Sequence, residues 1–246
     1  MLEHFTLAQL LLVAITALGA QIVGGLAGYG TGLLMPLVLV PLIGAQAVVP
    51  VIGLSAIITN ATRVVTFWDG LDLRKALIIT VMAIPTTAVG AWAYSLLSGR
   101  GAAILIGVML IVLVPLRRLA AHWRIRLGEA AMAICAAGYG LLVGGTTGSG
   151  VMLISILMGA GLSGIQVIAT DAAVSFLLGF VKTGVFAYAG ALPPPLWLLA
   201  AIIGVMATPG TLIAKWLATK FSASVHDAIL EAAIVAGALV LLMRNL

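Results

Sequence analysis

The stretch that decides the fold is GGLAGYGTGLLMP, residues 24–36. Five glycines fall within its first nine positions, and a proline ends it. Such a composition normally interrupts a helix, yet the stretch carries no charge and lies between two strongly apolar runs. Backbone that leaves a helix in apolar surroundings must be buried in protein or line a watery cavity. The stretch therefore predicts a broken helix inside a bundle of apolar helices.

The composition indicates a membrane protein. Of the 246 residues, 63% are hydrophobic and only 8% are charged, against roughly 25% charged residues in a soluble domain. Apolar runs long enough to cross a hydrocarbon core of ~30 Å recur along the chain. We therefore expect an all-α integral membrane protein in the lipid bilayer. The net charge of +5 then reflects membrane topology and not nucleic-acid binding.

The glycines also indicate an internal duplication. A shift of 120 residues places GGLAGYG (24–30) on GGTTGSG (144–150) without a gap. Seven of the thirteen glycines in the first 120 residues then fall on glycines of the next 120, whereas chance gives about two such matches. Duplicated halves are the usual construction of secondary transporters.

Each half divides into five apolar segments. Those of the first half are 5–23, 31–43, 46–67, 75–97 and 101–116, and those of the second are 127–143, 151–162, 165–188, 195–217 and 224–243. The second and seventh segments follow the glycine-rich stretches and are too short for a comfortable straight crossing. We predict two transmembrane repeats, 1–116 and 127–246, joined by a basic connector at 117–126.

Basic residues predict the orientation. The connector RRLAAHWRIR (117–126) carries four arginines, which places it in the cytoplasm. If all ten segments cross, eight basic residues lie in the cytoplasm and two, Arg100 and Arg244, outside, and the two repeats are inverted. If the short segments are re-entrant instead, each half has four crossings and the repeats are parallel. The charges favour inversion.

The two glycine-rich loops are the first candidate binding site. Each precedes a short helix, so each presents a helix N-terminus with free N–H groups and the positive end of the helix dipole. Two such termini with small hydroxyl residues suit a small anion. The candidate residues are Gly28, Tyr29, Gly30 and Thr31 in the first loop and Thr147, Gly148, Ser149 and Gly150 in the second. The alternative is close helix packing, because both loops contain the spacing G-x-x-x-G.

A polar stripe on the helix after each short segment is the second candidate. In the second half Asp171, Ser175, Gly179 and Lys182 share one helix face. The first half has Val51, Ser55, Thr59 and Thr62 in those places, with Asn60 and Arg63 beside them. We expect an anion to bind at Ser175 and Lys182 and at Asn60 and Arg63, with Asp171 as a coupling residue that carries a proton or orients Lys182. The alternative is that both cations snorkel to an interface.

The glycine-rich loops, GLSGIQVIATDAAVSF (161–176) and FAYAGALPPPLWLLAAIIGVMATPGTLIAKWLATKFS (186–222) together resemble the TauE/SafE family of sulfite exporters and toluene sulfonate uptake permeases. The resemblance implies an ion-coupled transporter of a small sulfur-containing or organic anion in the bacterial inner membrane. The chain departs from the family at Asp171, where a Thr-Ser pair is common. A carboxylate there repels an anion unless it is protonated or paired.

The sequence therefore predicts a secondary transporter that moves a small anion such as sulfite or a sulfonate by alternating access. A passive anion channel is the alternative, because the same loops would line an open pore. We expect no cofactor, no metal and no catalytic residues. The sequence is compatible with a homo-oligomer. An enzyme finds little support, since the three histidines are scattered and neither H-E-x-x-H nor G-x-S-x-G occurs.

Overall fold

The computed structural model describes residues 5–24, 30–122 and 126–217, and no β-strand occurs within these ranges. The helices of the first repeat are α1 (Leu7–Gly24), α2 (Gly30–Ile43), α3 (Ala45–Thr66), α4 (Leu73–Ser95) and α5 (Gly99–His122). Those of the second are α6 (Glu129–Gly145), α7 (Gly150–Gly159), α8 (Ile165–Tyr188) and α9 (Pro194–Leu217). A 3-10 turn, Trp68–Gly70, joins α3 to α4. The predicted tenth segment, 224–243, lies outside the described residues.

The helix lengths separate crossing helices from short ones. α3, α4, α8 and α9 are long and apolar enough to cross a membrane. α2 and α7 have 14 and 10 residues, so at 1.5 Å per residue they extend only about 21 and 15 Å. Neither of the two spans a hydrocarbon core of ~30 Å alone. The second and seventh segments are thus short helices that follow the glycine-rich stretches.

The outward faces of the helices are apolar, as contact with lipid requires. Leu7, Ile15, Val81, Ile134 and Val205 are each more than half exposed. A soluble protein rarely exposes so many large apolar side chains. Together with the four membrane-length helices, this surface identifies a multi-pass membrane protein.

Helix contacts follow the 120-residue duplication. α1 packs against α9 and α4 packs against α6, and a shift of 120 residues exchanges these two pairs. Equivalent glycines make both contacts close. A side chain on Gly90 of α4 would collide with the Leu141 carbonyl of α6, and a Cβ atom on Gly210 of α9 would lie 2.9 Å from the Leu18 carbonyl oxygen of α1. α3 and α8, which are also equivalent, pack directly against each other.

One group of helix ends defines what we call the Arg74 face. At the start of α4, Arg74 forms an ion pair of 2.8 Å with Glu129 at the start of α6. The N–H of Leu127, just before α6, donates to the carbonyl oxygen of Gly159 at the end of α7 (2.7 Å). Both ends of the α6–α7 hairpin therefore lie at the Arg74 face.

The other group of helix ends defines the Pro193 face. Phe5, Ile43, Gln46, Ser95 and Pro193 line one opening of about 560 Å³. These residues belong to the start of α1, the end of α2, the start of α3, the end of α4 and the α8–α9 loop. Since α4 runs from the Arg74 face to this one, the α1–α2 hairpin enters the bundle from the side opposite to α6–α7.

Candidate functional site

The two glycine-rich stretches meet inside the bundle. A Cβ atom on Gly32, in the first turn of α2, would lie 2.8 Å from the backbone nitrogen of Gly148, in the loop before α7. Gly148 has a φ of +76°, a left-handed conformation that glycine adopts without strain. Both positions thus require glycine for a close approach. The N-termini of α2 and α7 therefore lie next to each other at this contact. Their two hairpins enter the bundle from opposite faces.

A polar cavity of about 90 Å³ lies at this contact. A single water needs roughly 10–15 Å³, so the cavity can hold a polyatomic ion of a few atoms. Parts of α3, α6 and α8 complete its wall. The polar lining residues are Thr31, Thr59, Asn60, Tyr139, Thr146, Thr147, Ser149, Ser175 and Lys182. Lys182 is the only charged residue of the described ranges in this lining, whose other polar side chains offer hydroxyl and amide groups beside apolar residues such as Ile52 and Leu178.

Lys182 is held inside the protein by the end of α6. Its side chain is buried, and its Nζ donates to the carbonyl oxygens of Val143 and Thr146, both at 2.8 Å. These oxygens belong to the last turn of α6 and its cap, where carbonyls lack helical partners and the dipole favours a cation. Lys182 therefore does not snorkel to an interface.

The α3–α8 contact makes room for the lysine stem. A Cβ atom on Gly53 of α3 would lie 3.2 Å from Cε of Lys182. Gly179, one turn before Lys182 on α8, brings the two helices together at Ile57, which would lie 3.0 Å from a Cβ there. Small residues at these two positions let the helix backbones approach closely.

Arg63 and Asp171 form an ion pair between α3 and α8. Nη1 of Arg63 lies 2.9 Å from Oδ2 of Asp171, and both side chains are almost fully buried. The same nitrogen donates to the Oδ1 atom of Asn60 at 2.9 Å. Arg63 therefore does not snorkel either, and Asp171 is paired. The pairing removes the repulsion that a free carboxylate would exert on an anion.

The cavity gathers most of the residues predicted from the sequence. Those that line it are Thr31, Asn60, Thr147, Gly148, Ser149, Gly150, Ser175 and Lys182. Gly30 is the first residue of α2, whereas Gly28 and Tyr29 lie outside the described residues. Arg63 and Asp171 are not among the lining residues and contact each other instead. Asn60 connects the two groups, since it lines the cavity and accepts the hydrogen bond from Arg63.

Sequence reasoning missed Tyr139 on α6 and Thr146, the C-terminal cap of that helix. Both line the cavity together with Val143. The positions 139, 143 and 146 follow the spacing i, i+4, i+7 of one helix face. Tyr139 therefore carried a signal, namely a polar group two turns before the second glycine-rich loop on the face that leads into it.

These features define a class of protein before any comparison. A multi-pass helical bundle whose two broken-helix hairpins meet at a buried polar cavity is typical of membrane transporters. The chain matches the family model described as Sulfite exporter TauE/SafE over residues 13–241. Because the match covers nearly the whole chain, the protein belongs to the TauE/SafE family, which consists of transporters and not of enzymes. No curated protein and no solved structure gave a significant match.

Proposed function

We propose that the protein is a secondary transporter that moves a small oxyanion, such as sulfite or a small sulfonate, through the cavity between the two hairpins. The observation that carries the proposal is the buried side-chain amine of Lys182, which lines the cavity together with several hydroxyl groups. A buried cation surrounded by donors favours an anion over a neutral or cationic solute. The family description, an exporter of sulfite, agrees with this chemistry.

The size of the cavity supports a small substrate. A volume of about 90 Å³ suits an ion of a few heavy atoms, whereas an aromatic sulfonate would need the walls to move. Thr147, Gly148, Ser149 and Gly150 lie at the N-terminus of α7, where free N–H groups favour negative charge. We expect Thr31 and Asn60 to contribute further donors from the first repeat. The assignments of Gly28, Tyr29, Gly30 and Arg63 as binding residues stay predictions.

We further propose that the two halves, 1–116 and 127–246, are inverted repeats with the connector 117–126 in the cytoplasm. The hairpins that enter from opposite faces support inversion. Arg74, Lys75, Arg126 and Lys215 belong to helix ends or connections on the Arg74 face, which supports a cytoplasmic location for that face. A bacterial inner membrane is the expected location, and a homo-oligomer stays a prediction.

The two faces differ in a way that supports alternating access. At the Arg74 face the turn after α3 and the start of α8 are tightly packed, since a Cβ on Gly70 would lie 2.8 Å from the Ile165 carbonyl oxygen. The N–H of Asp72 also donates to Oγ1 of Thr170 (3.1 Å). The Pro193 face has a pocket of about 560 Å³, which shares no lining residue with the cavity. We propose that transport exchanges the closed and open faces, and that the buried Arg63–Asp171 pair must rearrange when the Arg74 face opens.

We propose Asp171 as the coupling residue. Its Oδ1 atom has no hydrogen-bond partner among the described residues, whereas Oδ2 contacts Arg63. A proton at this carboxyl would weaken the ion pair that holds α3 to α8. We therefore propose that protonation of Asp171 couples a proton to the opening of the Arg74 face.

Transport by purified protein in liposomes tests the function. If the protein is a carrier, liposomes loaded with unlabelled sulfite should transiently accumulate labelled sulfite by counterflow. The reason is that internal sulfite speeds the return of the binding site to the outside. A passive channel gives equilibration without an overshoot. Sulfite flux that is saturable, shows counterflow and changes with an imposed pH gradient supports the proposal. Flux without saturation or overshoot contradicts it and supports the channel.

A further inference from the structure

Tyr139 lines the cavity and carries a buried hydroxyl group. The side chain is 1% exposed, and its hydroxyl has no hydrogen-bond partner in the parts of the chain that the structure describes. Ser175, which also lines the cavity, and Asp171 are its polar neighbours, but neither meets the geometry of a hydrogen bond to it. A buried hydroxyl without a partner is unusual, because burial removes its hydrogen bonds to water and no hydrogen bond within the protein replaces them.

The position of this hydroxyl distinguishes it from the other unsatisfied groups. Thr80, Thr87 and Thr183 also have buried hydroxyls without a partner in the described residues. None of those three lines the cavity, whereas Tyr139 does, in the same wall as Lys182. The residue equivalent to Tyr139 in the first repeat is Gly19. The second repeat alone therefore supplies both this hydroxyl and the lysine.

We propose that the Tyr139 hydroxyl is a substrate-recognition donor, which binds one oxygen of an oxyanion while Lys182 interacts with another. This inference rests on the proposed function and deepens it. Lys182 uses two of its three N–H groups on the carbonyls of Val143 and Thr146, so one remains for a ligand. An anion with several oxygens can satisfy both donors from separate atoms. A monatomic anion has a single acceptor centre to share between them.

The consequence is discrimination between classes of anion. A site with a buried donor rejects a ligand that leaves the donor unpaired. We therefore expect the cavity to prefer sulfite or methanesulfonate to chloride, and expect Tyr139 to be the source of much of this preference. Removal of the hydroxyl should weaken oxyanion binding and leave chloride binding almost unchanged.

Tyr139→Phe tests the inference in the purified full-length protein, because it removes the hydroxyl and keeps the ring. We expect the dissociation constant for sulfite to rise roughly 10- to 100-fold, the range for a hydrogen bond to a charged group. The melting temperature without ligand should stay equal or rise, since an unsatisfied buried group has been removed. Binding of sulfite, methanesulfonate and chloride should be measured by calorimetry.

Tyr94→Phe is the matched control. The Tyr94 hydroxyl is buried but donates to the carbonyl oxygen of Ala45 at 2.6 Å, and Tyr94 does not line the cavity. Its loss should lower the melting temperature and leave the sulfite dissociation constant unchanged, which is the opposite pattern.

Four outcomes contradict the inference. A Tyr139→Phe variant that binds sulfite as tightly as the wild type contradicts it, and so does one that loses sulfite and chloride affinity equally. If the wild type binds none of the three anions, the proposed function fails and the inference with it. If Lys182→Met abolishes sulfite binding while Tyr139→Phe does not alter it, the site stands and only the role of Tyr139 is wrong.

Discussion

Arg63 of the first repeat and Asp171 of the second form a buried ion pair, with Nη1 and Oδ2 2.9 Å apart. The duplication does not repeat the pair, since Thr183 and Val51 occupy the equivalent positions. The pair therefore makes the two halves unequal at the contact between α3 and α8. It joins the central helices near the Arg74 face, beyond the cavity that Asn60 and Lys182 line.

Loss of one member of this pair should strongly destabilise the protein. Asp171→Leu leaves the Arg63 guanidinium buried and uncompensated, which typically costs about 3–5 kcal/mol. The double variant Arg63→Met/Asp171→Leu removes both charges and should recover most of that loss. Denaturant unfolding of the two single variants and the double variant measures the coupling.

The exposed pair Arg74–Glu129 provides the control for this cycle. Its side chains are 75% and 61% exposed, so Arg74→Met should cost at most about 1 kcal/mol. If Asp171→Leu costs no more than Arg74→Met, the buried pair does not hold α3 to α8.

Coupling by Asp171 has its own test. Asp171→Asn keeps the shape of the side chain but cannot gain or lose a proton. Sulfite counterflow in liposomes should persist at reduced rate, whereas the response of transport to an imposed pH gradient should disappear. An unchanged response to the gradient in Asp171→Asn would assign coupling to another group.

The contact between the hairpins should tolerate no side chain. Gly32→Ala places a Cβ atom 2.8 Å from the backbone nitrogen of Gly148, so one hairpin must shift and the cavity must change shape. We expect a loss of sulfite transport between about 10-fold and about 100-fold, since a misplacement of 1 Å can cost about 100-fold. Gly184→Ala on α8 meets no atom within 4 Å and should transport normally. Normal transport by Gly32→Ala contradicts a role for this contact.

Glycines in the helix contacts should act on stability and not on binding. Gly90→Ala collides with the Leu141 carbonyl and should destabilise the protein by about 1–3 kcal/mol. Gly138→Ala lies in the same α4–α6 pair but meets open space, so it should be neutral or slightly stabilising. Melting temperatures compare the two variants, and the sulfite affinity of the folded fraction should be the same for both. Equal melting temperatures of Gly90→Ala and Gly138→Ala would mean that α4 and α6 can move apart at Gly90 without a loss of stability.

Labelling of single cysteines tests the topology. In a Cys135→Ala background, Asp69→Cys lies in the turn after α3, at the Arg74 face, and Ala189→Cys follows α8, at the Pro193 face. Both positions are exposed. An impermeant reagent applied outside intact cells should label Ala189→Cys alone. Labelling of both positions from one side contradicts the proposed orientation.

Within the described residues, the sequence predicted the apolar segments well, because apolar length and glycine placement determine them locally. The predicted 165–188 agrees with α8, Ile165–Tyr188, and the short second and seventh segments appear as α2 and α7. The sequence also predicted that Lys182 and Ser175 face the interior, because a polar stripe on an apolar helix is expected to do so. Both residues line the cavity.

The partners of the charged residues could not be predicted in the same way. Arg63 and Asp171 are 108 positions apart, and their pairing depends on the crossing of α3 and α8, which Gly53 and Gly179 permit through tertiary packing. The partners of Lys182 are backbone carbonyls of α6, which no side-chain pattern reveals. Tyr139 was overlooked because one aromatic residue on an apolar helix is more often part of the core.

Binding of sulfite to Lys182→Met tests the central claim most directly. Loss of one charge from a low-dielectric cavity should raise the dissociation constant roughly 5- to 150-fold, whereas Lys182→Arg should keep most of the affinity. Lys215→Met is the control, because Lys215 is exposed and lies near Phe67, away from the cavity. Isotherms at two ionic strengths should show weak binding by Lys182→Met in both and near wild-type binding by Lys215→Met. Superimposable isotherms for folded Lys182→Met and the wild type would contradict the account, because the buried ammonium would then have no part in anion binding.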